Sequence, residues 1–97
     1  MNKVWIEQGV YLDLQPEMLN GLQKIRTLFM LEKQDLYITS GSEGDHQMNS
    51  FHYSGKAIDI RKAKGITKAK LQHVLGEHFD IISYSWGWHC EHDYRPF

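Results

Sequence analysis

The chain has little to staple it together. A single cysteine, Cys90, excludes an internal disulfide framework, so any staple must be a metal or the core itself. No apolar run approaches the about 18 residues that a membrane span needs. The stretch MNKVWIEQGV at the start lacks the apolar central segment of a secretory signal, which leads us to expect synthesis and retention in the cytoplasm unless another route exports the chain. An excess of charge of one sign is missing as well. Lys and Arg number 11 against 12 Asp and Glu, a formal net charge of −1, so no basic field points to nucleic acid or to a membrane surface. Only two prolines occur, and no repeat or low-complexity tract marks a linker. The 97 residues therefore suit one domain, 1–97, with one core, expected as a monomer.

What is present is an ordinary globular composition, 41% hydrophobic and 24% charged, enriched in six histidines and three tryptophans. The spacing predicts a helix from Pro16 to about Glu32, with Met18, Leu19, Leu22, Ile25, Leu28 and Phe29 on one face. Leu36 to Thr39 reads as a short strand and Lys56 to Arg61 as another, with Gly55, Ala57 and Asp59 alternating against Lys56, Ile58 and Ile60. Thr67 caps a second helix running to about Glu77, with Leu71, Val74 and Leu75 as its apolar stripe. Phe79 to Tyr84 and Trp88 to Tyr94 form a hairpin that puts His89 and Glu91 on one face and Cys90 and His92 on the other. The pattern predicts an α+β domain: a small, mainly antiparallel sheet with two helices packed on one side and a cleft on the sheet.

The stretch SFHYSGKAID, residues 50–59, holds a loop histidine and a strand aspartate seven positions apart. Histidines and carboxylates from separate segments are what a catalytic zinc site uses, with three protein ligands and a fourth position for water. His52 and Asp59 would be two of them, with the third from His46, His89 or His92. Small residues at Gly55 and Ala57 would leave the metal face open. Plainer readings apply elsewhere. His73 and His78 read as helix-surface residues, Lys62, Lys64, Lys68 and Lys70 as a solvated turn and helix start, and Cys90 as a buried structural thiol. Trp86, Trp88 and Tyr94 read as core or pocket wall.

Ser50, His52, Gly55, Ala57 and Asp59 together resemble the S-x-H-x-x-G-x-A-x-D signature of the M15 peptidases. These are zinc D-Ala-D-Ala carboxypeptidases and related endopeptidases that cut peptidoglycan stem peptides. The flanking ITSG and DIR look like the small phage and bacterial members, and the resemblance spans roughly residues 14–94. It implies that His52 and Asp59 are zinc ligands. The family's carboxyl-terminal pattern D-x-x-x-E-x-x-H-x-H-x-E, laid on Asp80, puts the third ligand at His89 and the final glutamate at Glu91, with His92 the alternative ligand.

This sequence departs from the family at telling positions. Where the family places its general-base carboxylate stands Trp86, and Gly87 replaces a histidine. Glu43, Asp45, His46 and Glu91 are the candidates to supply a base instead. The arginine of the family's SGYR is absent from Ser40-Gly41-Ser42-Glu43. Ser50, Lys56, Arg61, Trp86 and Trp88 are the candidate substrate contacts, although strand parity turns Lys56 away from Asp59. The expectation is a Zn2+ peptidase on peptidoglycan peptides, reaching the wall after release if the chain is phage-derived. The alternative is a zinc-binding module without hydrolysis, as the hedgehog signalling domain shows for a scaffold resembling this family.

Overall fold

The computed structural model describes residues 2–43 and 55–93. Within them the order is β1 (Val4–Ile6), α1 (Pro16–Leu31), β2 (Leu36–Ser40), β3 (Ala57–Ile60), α2 (Lys68–Leu75), β4 (Phe79–Tyr84) and β5 (Gly87–His92). The strands form one five-stranded sheet in the order β1-β2-β3-β5-β4, parallel between β1 and β2 and antiparallel elsewhere. The two helices touch each other, α2 lies against β4, and α1 reaches β5. The expected α+β architecture is what the chain adopts. Among the described residues no helix is long and apolar enough to cross a membrane.

Alternation explains which side of the sheet meets the helices. Leu36, Ile38, Ile58, Ile60, Ile81, Trp88 and Cys90 join Met18, Ile25, Phe29, Leu71 and Leu75 in one buried cluster. The residues between them, Tyr37, Asp59, Ile82, His89 and Glu91, therefore point to the opposite face. α1 begins with Pro16 in its first turn, where the missing N–H costs nothing. Its buried face differs from the expected one in two places. Leu19 is 45% exposed, whereas Gly21 is buried because Phe79 fills the space where a side chain would stand. α2 is shorter than expected: Thr67 Oγ1 accepts from Lys70 N, and Gly76, at φ 91°, ends the helix just after Leu75. His78 consequently lies beyond the helix, not on it.

β1 has no counterpart in the sequence reading. Three residues, all exposed, give no alternation to read. The strand is held by its ladder with β2, by Leu36 N donating to the Lys3 carbonyl, and by Asp35, which accepts from Lys3 N and Trp5 Nε1.

Candidate functional site

Residue pairing places a polar cluster at the centre of the open face. Asp59 on β3 stands directly opposite His89 on β5, and Ala57 opposite Glu91. Their side chains meet: Asp59 Oδ1 lies 2.7 Å from His89 Nδ1, and Glu91 Oε1 lies 3.3 Å from His89 Nε2. One imidazole is thus held between two carboxylates, one at each ring nitrogen. Burial pulls the His89 pKa down, but the hydrogen bond and charge of Asp59, joined by Glu91, outweigh it and hold His89 above its ordinary value.

A register shift in β2 lies beside this cluster. Ile38 pairs with Ile60, but Ser40 pairs with Asp59, so the strand carries one extra residue between them. Ser40 Oγ donates to Glu43 Oε2, and Glu43 Oε1 accepts from Gly41 N at 2.7 Å and from Tyr11 N at 3.3 Å. Burial raises the Glu43 pKa, yet these donors outweigh it and leave the carboxyl below its ordinary range. A buried carboxylate so engaged ties the 41–43 turn to the segment at Tyr11, which weakens its case as a general base.

The other site residues read from the sequence divide as follows. His92, the alternative ligand, sits on the helix-covered face, edge-on to Phe79 at 5.0 Å, and cannot join Asp59 from there. Trp88, expected as a substrate contact, is also on that face, 7% exposed, with Lys62 Nζ 4.8 Å above its ring. Parity decides both, because β5 continues the alternation through His92 without a break. Lys56 precedes β3, its carbonyl accepting from His92 N. Arg61 lies on the open face with its guanidinium 5.2 Å from the Tyr37 ring centre. Trp86 is in the β4–β5 turn, half exposed and stacked on Tyr84. Asp45, His46, Ser50 and His52 lie outside the described residues.

The small residues near Asp59 do not floor an open cleft. Ala57 is fully buried. Gly55 has φ 71°, and a Cβ there would lie 2.6 Å from the Asp13 carbonyl oxygen. Gln15 N donates to the Gly55 carbonyl, so the glycine allows the segment before α1 to cross closely over this strand entry. Gly87 is constrained in the same way, since a Cβ would stand 2.1 Å from the Ile60 carbonyl oxygen. A histidine at position 87 would need the β3–β5 pairing to open.

Cys90 faces the core. Burial, with a smaller contribution from the charge of Asp59, pushes its thiol up to about 12, which removes it as a nucleophile at neutral pH. An apolar groove of about 480 Å³ lies elsewhere, between β1 and α1, with Lys3 and Arg26 as its charged residues. No histidine or carboxylate lines it, so the groove and the Asp59–His89 cluster are separate places.

Among the described residues, no group of three or more His, Cys, Asp or Glu side chains is arranged to hold a metal ion. The reason is visible at His89: Asp59 and Glu91 approach opposite ring nitrogens and do not converge on one point. Asp59 and His89 do supply two adjacent donor atoms of the kinds zinc takes, with Glu91 on the far nitrogen as the orienting partner that ligating histidines commonly have. Comparison with known proteins gives no match: no family model matches the chain, and no curated protein or solved structure is significantly similar to it.

Proposed function

We propose that the chain is a zinc-dependent peptidase acting on peptidoglycan stem peptides, with Asp59, His89 and His52 as the ligand set. The observation that carries the reading is the Asp59–His89 pair, formed in register across two strands and backed by Glu91 on the second ring nitrogen. An ion held there would replace the proton now shared by Asp59 and His89. Zinc supplies a Lewis acid and an acidified water for hydrolysis at neutral pH. The protein's part is to hold the imidazole in one tautomer through Glu91 and to keep both ligands mostly out of solvent. With Glu43 engaged by three donors and Glu91 on His89, Asp45 and His46 are the remaining candidates for the proton-transfer group. Action at the cell wall after release belongs to the same proposal.

The second reading is a zinc-binding module that retains cell-wall peptide or glycan without cutting it. Trp86 favours it: an exposed aromatic, stacked on Tyr84, stands where the resembled family has its carboxylate.

Metal analysis of the purified protein should give about one zinc per chain. Asp59→Ala, His89→Ala and His52→Ala should each lose it, and Glu91→Gln should weaken zinc binding about 10- to 100-fold. Retention of stoichiometric zinc by His89→Ala would overturn the site. Purified muropeptides followed by mass spectrometry then separate the readings: chelator-sensitive cleavage supports the peptidase, and intact substrate with retained binding supports the module.

A further inference from the structure

The sheet has two edge strands, β1 and β4, and they are finished differently. On β4 the Phe79 carbonyl accepts from Gln72 Nε2, a side chain of α2. On β1 the groups that bond β2 include the Lys3 carbonyl, which accepts from Leu36 N, and Glu7 N, which donates to the Ile38 carbonyl. Backbone groups of successive strand residues point to opposite sides, so those of Val4 and Ile6 face away from β2, into the edge. Both side chains are apolar, 36% and 52% exposed. They stand in register with the buried Leu36 and Ile38, which puts them on the helix side of the sheet, beside the groove between β1 and α1. Lys3, Trp5 and Glu7 alternate with them on the other side, all three exposed.

We propose that this edge pairs with the β1 edge of a second copy of the chain, antiparallel and about a two-fold axis at Trp5. The stretch Lys3-Val4-Trp5-Ile6-Glu7 is its own complement in that arrangement. Val4 lies opposite Ile6 of the second copy and Ile6 opposite its Val4, so the outward N–H and C=O groups exchange hydrogen bonds and the branched side chains meet on the helix side. The same register sets Lys3 opposite Glu7 of the second copy at each end, on the other side of the sheet. Lys3 Nζ already lies on that side, 5.4 Å from the Trp5 ring centre. Backbone parity and charge therefore select one register. A shift by two residues in either direction sets Lys3 or Glu7 against Trp5 and loses the charge pairs. An unrelated extended peptide could use the same backbone groups, but a cation and a carboxylate two positions either side of Trp5 match this chain's own sequence. Such a contact uses the same patch on both copies and closes on itself, so assembly stops at a dimer, in place of the monomer expected from the sequence. Asp59 and His89, on β3 and β5, lie away from this edge, so the pairing neither needs nor covers them.

Sedimentation velocity on the full chain, with chelator present, should show a reversible shift from monomer to dimer between about 10 µM and about 1 mM, and no larger species. Ile6→Pro removes an outward N–H without touching the β1–β2 ladder, and it should abolish the dimer while circular dichroism shows the fold retained. Lys3→Glu and Glu7→Lys each set like charges opposite one another at both ends of the contact. Each should weaken self-association about 3- to 10-fold. Mixed in equal amounts, these two variants should pair with each other at least as tightly as the native chain pairs with itself, because every end contact is then between opposite charges. A monomer at every concentration, a dimer that Ile6→Pro leaves intact, assembly beyond two copies, or no recovery in the mixture would overturn the proposal.

Discussion

The two faces of this sheet are built from the same strands by the same alternation, and they do opposite things. On the helix-covered side Ile58, Ile60, Ile81 and Cys90 are buried among α1 and α2. On the other side, at the adjoining positions, stand Asp59, Ile82, His89 and Glu91, polar or partly exposed. The covered face stabilises by burial; on the other face charge is held by pairing, since the Asp59 and His89 side chains are themselves only 14% and 16% exposed.

The largest expected effect breaks that comparison with one residue type. Ile58, fully buried, and Ile82, 40% exposed, sit on opposite faces of neighbouring ladders. Ile58→Ala should destabilise by about 2–5 kcal/mol, from lost transfer energy and an unfilled cavity. Ile82→Ala should cost under about 1 kcal/mol, as surface changes do. Denaturant unfolding of both variants measures the contrast, and equal costs would mean that the open face is covered in solution.

A smaller effect tests whether Glu43 belongs to structure or to chemistry. Glu43→Ala leaves the Gly41 and Tyr11 amides and the Ser40 hydroxyl without that acceptor, at about 1–3 kcal/mol. Because its folded pKa is lowered, the stability Glu43 contributes is present above the unfolded value near 4.5 and is lost as pH falls through the folded one. The variant should therefore lose less stability on acidification than the native chain. Native-like stability of Glu43→Ala would return this carboxylate to the list of candidate bases.

The faces were legible from the sequence, and the close approaches were not. Alternation alone groups Asp59 with Gly55 and Ala57, and His89 with Glu91 against Cys90 and His92, because a period of two needs no partner strand; that Asp59 and His89 share a side comes from the β3–β5 register. The same rule placed His92 with Cys90, and the structure keeps it there, against the helices. Trp88 admits two readings in the sequence, substrate contact and core or pocket wall, and its burial with Cys90 favours the second. Gly55 and Ala57 were read as space for an ion. What they accommodate depends on the Asp13 backbone and on burial, both set by residues distant in sequence. β1 and the β2 register shift were invisible for a related reason: a three-residue edge strand and a single extra residue leave no pattern of their own.

The smallest expected effect concerns His89 itself and sharpens the contrast between a satisfied ion pair and a metal site. Its folded pKa is raised above the ordinary 6.5. The pair's contribution to stability is therefore fully present below the unfolded value and is lost as pH rises through the folded one. In metal-free protein, thermal stability should decline across that window relative to Asp59→Asn, in which the main raising partner is gone. Zinc should reverse the trend, because a ligating imidazole must give up its proton and metal affinity then grows with pH. Asp59 would hold His89 through a proton at low pH and could exchange that proton for an ion at higher pH only if the 2.7 Å contact widened to admit it. Parallel pH profiles for the native chain and Asp59→Asn, with and without zinc, would show that His89 exchanges neither proton nor metal at Asp59.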